Sequence, residues 1–320
     1  MNLQLLFENL TNPALLFFVL GIIAVYLKSD LEIPANTSKF ISLYLLFAIG
    51  FKGGQELSHE AFSVEIALSM LFAVFIAVAI PIYTYFILRR KFGVYDSGAI
   101  AAAYGSVSAV TFVTATSYLE LQHLEFSGHM VAIMALMESP AIIAGLILIS
   151  MFSKKDREQS GFRKVLHHSL TNGSVLLIFG SLVIGYLASA EQAQGIKPFT
   201  NDLFKGFLAI FLLDMGIVSG RKLGSLFKEG WFPFVFGIII PLFNGSVVAF
   251  ASGYFTTDIA DRFLFAVLAA SASYIAVPAA MKIAVPDANP GLYLPMALGV
   301  TFPVNITIGM PLYLLIVKQF

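Results

Sequence analysis

Two stretches of this sequence set small and hydroxyl-bearing residues side by side in apolar surroundings. They are Tyr104-Gly-Ser-Val-Ser-Ala-Val-Thr111 and Ala270-Ser-Ala-Ser-Tyr-Ile-Ala-Val-Pro278. Gly105 weakens any helix through the first, and Pro278 removes a backbone donor within the second. If both helices break there, each second half-helix starts with free N–H groups and a positive dipole end. Two such ends converging on one spot make an anion site that needs no Arg or Lys. The first half-helices end in carbonyl oxygens and negative dipole ends, which suit Na⁺. Ser106, Ser108, Ser271 and Ser273 could supply the remaining hydrogen bonds, and so small a lining implies a small ligand. Either stretch alone reads equally as a close-packed seam, since small residues and serines favour tight helix contacts in membranes. The symmetric pair favours broken helices.

Ionisable groups inside apolar segments come next. Glu138, in Met134-Ala-Leu-Met-Glu-Ser-Pro140, sits mid-segment, where a carboxylate costs about 2.5–3.5 kcal/mol. It is expected to coordinate a cation or orient a broken helix; the alternative is a structural carboxylate bonded to a nearby backbone gap. Thr301, Asn305 and Thr307 surround Pro303. Asn305 offers an amide oxygen to Na⁺ or caps the Pro303 kink. Asp214 reads as a gate residue or a packed, protonated acid, and Glu65 as a solvated one. His59, His123 and His129 fall near segment boundaries and His167 and His168 in a polar linker, so all five read as exposed. The absence of cysteine excludes disulfides, zinc–thiolate sites and thiol nucleophiles. No metalloprotease, nucleophile-elbow or phosphate-loop motif occurs. These observations imply a non-enzyme, with no transition-metal site, driven by an ion gradient or the membrane potential.

The elements that must hold these residues follow from composition. Of 320 residues, 58% are hydrophobic and only 12% charged, about half the charged share of a soluble domain, with mean hydropathy +0.86 and net charge zero. The net charge argues against nucleic acid as a partner. The fold class is all-α membrane protein, with about ten spans of the length a bilayer requires. They are predicted at 13–27, 37–55, 62–88, 97–119, 129–152, 172–190, 203–220, 232–255, 262–284 and 291–317. The first is read as a retained span, not a signal peptide. The polar run Ser153–Thr171 divides residues 1–152 from 172–320. Basic residues cluster on one side (Lys28, Lys39, Arg89, Arg90, Lys91, the linker, Arg221, Lys222, Lys228 and Lys282). The other side holds Lys52, Lys197, Lys205, Arg262 and Lys318. That bias places the linker in the cytoplasm and both termini outside.

The halves also resemble each other. Asp96 and Asp261 open equivalent spans, Gly105–Ser108 falls on Ala270–Ser273, and Gly50–Leu57 falls on Gly216–Leu223. Five spans per half makes the second copy inverted, as in many secondary transporters.

On the two serine stretches and the ten-span plan, the whole chain resembles the cyanobacterial sodium-dependent bicarbonate transporter (SbtA) family. The resemblance implies Na⁺/HCO₃⁻ symport at the plasma membrane in a carbon-concentrating mechanism. It implies a fold like the bile-acid symporters and Na⁺/H⁺ antiporters, with a core domain (62–152 and 232–317) moving against a gate domain (13–55 and 172–220). It implies a homotrimer and a PII-like nucleotide-sensing partner (SbtB) at the cytoplasmic face. The family's bicarbonate site maps onto Gly105, Ser106, Ser271 and Ser273; the neighbouring polar residues Ser108, Thr111, Glu138 and Asn305 are the expected sodium ligands. The linker is shorter than the family's cytoplasmic loops. From the residues alone, another small anion, or cation/proton antiport through Glu138 and Asp214, stays open.

Overall fold

Apolar helices with lipid-compatible faces account for the architecture. The computed structural model describes residues 13–59, 63–153, 173–226 and 229–320, and the described residues are helical with no strand. In chain order the helices are α1 (Pro13–Tyr26), α2 (Ala35–Ser58), α3 (Val64–Leu88), α4 (Val94–Gly105), α5 (Ala109–Leu121), α6 (His129–Phe152) and α7 (Gly173–Leu187). Then come α8 (Ala190–Lys197), α9 (Phe204–Leu226), α10 (Phe232–Ala251), α11 (Ile259–Ala270), α12 (Ala276–Ala284) and α13 (Pro290–Gln319). Six helical segments among the described residues are long and apolar enough to cross a membrane, while Leu16–Tyr26 and Leu176–Leu187 are shorter apolar helices. Leu71, Phe75, Leu176, Ile184 and Phe243 are exposed. Outward apolar faces of this extent suit hydrocarbon, not water. The predicted linker 153–171 lies outside the described residues beyond Ser153.

Two predicted spans are interrupted, and both interruptions are interior. The α4–α5 segment is 89% buried, against 39% for α3. Burial within protein is the condition under which non-helical backbone survives at membrane depth. Contacts at the far ends fix their directions. Tyr95, at the start of α4, shares a hydrogen bond with Ser153 at the end of α6 (2.9 Å). Asp261, at the start of α11, accepts the Ser127 N–H (2.9 Å) just before α6 begins. So α4 and α11 enter from opposite ends of α6 and meet inside.

The remaining helices form two glycine seams. A Cβ on Gly21 or Gly216 would strike the Leu213 or Phe18 carbonyl between α1 and α9; one on Gly54 or Gly185 would strike the Leu182 or Phe51 carbonyl between α2 and α7. Backbones this close gain dispersion and weak hydrogen bonds that larger residues would forfeit. We expect Gly54→Val to lower stability by about 1–3 kcal/mol through overpacking. Thermal unfolding in detergent would read this, and an unchanged transition would refute it.

Three elements differ from the expectations. Residues 190–202 form α8 and a wide π turn instead of loop; Ser189 and Gln192 close a reciprocal capping box that starts α8. His129 is buried, not exposed, with Nε2 3.8 Å from Asp261. Within α13, π-helical turns at Met296–Thr301 and Asn305–Gly309 flank Pro303. The Thr307 hydroxyl donates to the Pro303 carbonyl (2.7 Å) there. Glu65 is exposed in the first turn of α3, as expected.

Candidate ion-binding site

The first break starts where α4 presses on α3. A Cβ at Gly105 would overlap the Pro81 ring, so glycine permits the approach. Ser106 (φ −85°, ψ 173°) and Ser108 (φ −102°, ψ 107°) are extended, and the Ser108 hydroxyl accepts the Thr111 N–H (3.1 Å), which restarts the helix as α5. The second break runs from Ser271 (φ −77°, ψ 165°) to Ile275. The Ser273 hydroxyl accepts the Val277 N–H (3.3 Å). Pro278 falls in the first turn of α12, where its missing N–H would have no intrahelical partner anyway. The chain therefore breaks before the proline, and Pro278 marks the restart.

The breaks are stitched to one another. Ser108 N–H donates to the Ser271 hydroxyl (3.0 Å), and Ser273 N–H donates to the Ala103 carbonyl (2.8 Å). The Ser271 hydroxyl in turn donates to the Leu268 carbonyl (2.8 Å). Asn305 Nδ2 donates to the Ala270 carbonyl (2.7 Å), and the Tyr313 hydroxyl donates to Asn305 Oδ1 (3.0 Å). One terminal carbonyl at each first-half end, Ala103 in α4 and Ala270 in α11, is thus satisfied from outside its own helix. The amides at the start of α5 that remain free, Ala109 and Val110, have no acceptor among the described residues.

A cavity of about 30 Å³ lies where the restarts face α6. Ser108 and Ala109 line it from one break and Ser273, Tyr274, Ile275 and Ala276 from the other, with Glu138 opposite. Glu138 is half-buried and has no hydrogen-bond or ion partner among the described residues. No Lys or Arg lines the cavity. The field inside comes from two helix N-termini, each equivalent to roughly half a positive charge, and one carboxylate. The cavity adjoins a cleft of about 520 Å³ that also reaches Tyr274 and Ile275, and whose lining includes Ser38, Lys39, Asp214 and Arg221. Asp214 is buried there and accepts the Ser38 hydroxyl.

The structure therefore brings Ser108, Glu138 and Ser273 together around one space. Gly105, Ser106, Thr111, Ser271 and Asn305 stand behind its wall. Of these, Ser106 is fully buried, its hydroxyl without a partner among the described residues. Thr111 is buried and gives its N–H to Ser108, while the amide of Asn305 is engaged at both ends. Sequence reasoning missed Tyr274 in the lining and Tyr313 as the holder of Asn305. Tyr274 follows the second serine pair directly, a signal available in the sequence. Comparison with curated proteins gave no match. A family model described as the Na⁺-dependent bicarbonate transporter superfamily matches residues 13–318, and the chain belongs to that superfamily.

Proposed function

We propose that this chain is a plasma-membrane symporter that moves bicarbonate with Na⁺ by alternating access, with the anion held between the restarts of α5 and α12. The observation that carries the reading is the single cavity on which Ser108, Ser273, both half-helix N-termini and Glu138 converge. Peptide N–H groups and serine hydroxyls suit a monovalent oxyanion with both donor and acceptor oxygens. A Na⁺ at Glu138 would pair with the carboxylate and leave the helix dipoles to the anion. The cavity, about 30 Å³, is small. Bicarbonate needs more room, and displacement of Tyr274 and Ile275 toward the adjoining cleft would supply it. Gly105, Ser106 and Ser271 then shape the anion pocket, while Thr111 and Asn305 hold the elements beside the sodium ligands Ser108 and Glu138.

Several contacts support an inverted-repeat plan of about ten spans. Asp96, opening α4, accepts the Asn289 N–H before α13 (2.7 Å), while Asp261, opening α11, accepts the Ser127 N–H before α6. Pro81 and Pro241 lie inside α3 and α10, and Pro140 and Pro303 inside α6 and α13. The glycine seams α1–α9 and α2–α7 are each other's counterparts under the same operation. In this reading α3–α6 and α10–α13 form the core and α1, α2, α7 and α9 the gate, with both termini extracytoplasmic. A homotrimer and regulation by a PII-like partner at the cytoplasmic face belong to the same proposal; the mass of the purified complex tests the first and co-purification the second. Antiport through Glu138 and Asp214 is less favoured, because the two carboxylates line different cavities.

Labelled bicarbonate uptake into proteoliposomes, with and without a Na⁺ gradient, tests the function. Uptake indifferent to Na⁺, or equal uptake of other small anions, would overturn it. Ser273→Ala is expected to raise the bicarbonate KM about tenfold, the loss of one hydrogen bond to a charged group, with assembly intact. Wild-type KM would remove Ser273 from the site.

A further inference from the structure

At the end opposite the cleft, three charged side chains from three helices meet. Glu120, in the last turn of α5, sits 3.0 Å from Lys52 of α2 and 3.2 Å from Lys205 of α9. Lys52 and Glu120 are each about one-third exposed. Beneath them lies a cavity of about 190 Å³, lined also by Ala48, Ile49, Thr200, Asn201 and Phe204. Two ammonium groups thus share one carboxylate, leaving one positive charge in excess over a polar chamber. The carboxylate belongs to the proposed core and both ammonium groups to the proposed gate.

We propose that Lys52 and Lys205 form an outer binding site for a small monovalent oxyanion, and that Glu120 is a tethered stand-in that occupies it when the outside is closed. The inference rests on the symport reading for the direction of access and for the division into core and gate. Its physical basis is the placement of like charges. If α5 withdraws with the core, Glu120 leaves while Lys52 and Lys205 stay together on α2 and α9, unneutralised and repelling each other. An entering oxyanion accepts from both ammonium groups as Glu120 did, and the Asn201 amide, whose oxygen accepts the Thr200 hydroxyl, adds a neutral N–H donor. Substrate thereby replaces the latch that closes the path, and its departure inward lets Glu120 return. The vestibule outside this cluster also holds Glu56 and Glu125, so the lysine pair is the point where an anion's approach becomes favourable.

The chain has no cysteine, so a single Ile49→Cys reports access to the chamber without background. The experiment measures its labelling by a membrane-impermeant maleimide in right-side-out vesicles. Glu120→Gln should raise the labelling rate about fivefold, the effect of losing two partly exposed ion pairs. Millimolar bicarbonate should then slow labelling in Glu120→Gln but not in the triple variant that adds Lys52→Gln and Lys205→Gln. An unchanged rate in Glu120→Gln, or protection that survives loss of both lysines, would overturn the proposal. Sodium-dependent uptake by the Ile49→Cys parent is measured on the same vesicles. Its absence there would count against symport, whereas the labelling arms report on the lysine site by themselves.

Discussion

Glu138→Gln is expected to strip bicarbonate uptake of most of its sodium dependence while leaving the folded protein intact. Glu138 is the one carboxylate lining the cavity between the two helix restarts, and it has no partner of its own among the described residues. Gln fills the same volume and keeps an oxygen, but removes the full negative charge. A full charge a few ångströms from a cation is worth about 4 kcal/mol at an effective dielectric near 20. Hydration returns much of that, so the sodium concentration for half-maximal uptake should rise at least about tenfold. The comparison to make is uptake against sodium concentration for the two proteins at equal protein in the membrane. An unaltered sodium curve would mean the carboxylate serves packing or helix orientation instead.

Asn305→Leu should cost both stability and transport. Its Nδ2 satisfies the last carbonyl of α11, at Ala270, and its Oδ1 receives the Tyr313 hydroxyl. Tyr313 retains the Pro241 carbonyl as a second acceptor (3.1 Å), so leucine orphans chiefly the Ala270 oxygen. A buried orphan of that kind costs about 1–3 kcal/mol. The carbonyl lies one residue before Ser271, so its relaxation would also turn the serine that accepts the Ser108 N–H. We expect a lowered unfolding temperature together with a larger loss of uptake than stability explains. Asn305→Leu with full uptake would show that the junction tolerates an unpaired carbonyl.

Much of this site was legible in the sequence because the signals are local. Ser-Val-Ser after Gly105 and Ser-Ala-Ser after Ala270 interrupt apolar helices with residues that cap new ones, and the helices do stop at those positions. Pro278 was read as the cause of the second break, yet it sits within the first turn after it. What was hidden depends on distant partners. His129 is buried because Asp261, remote in the chain, lies beside it. Whether Asn305 bound an ion or a backbone group could not be read from its neighbours; Tyr313, eight residues on and past the π turn at Asn305–Gly309, is what engages its Oδ1. Helix α8 was overlooked since its residues are polar and hydropathy looks for apolar runs, although its capping pair stood in plain sequence.

The exchange of anchors between distant parts of the chain bears on whether either part could close its own interior. Asp96 holds the loop before α13 and Asp261 the loop before α6, Ser273 completes the end of α4, and Asn305 the end of α11. All but the last of these contacts cross between residues 1–152 and 172–320. Neither half owns a finished interior; each borrows from the other what a free-standing unit would need. Separating residues 1–152 from 172–320 would strand the Asn289, Ser127 and Ser273 N–H groups at once, so the two lengths of chain must close their interior in one another's company.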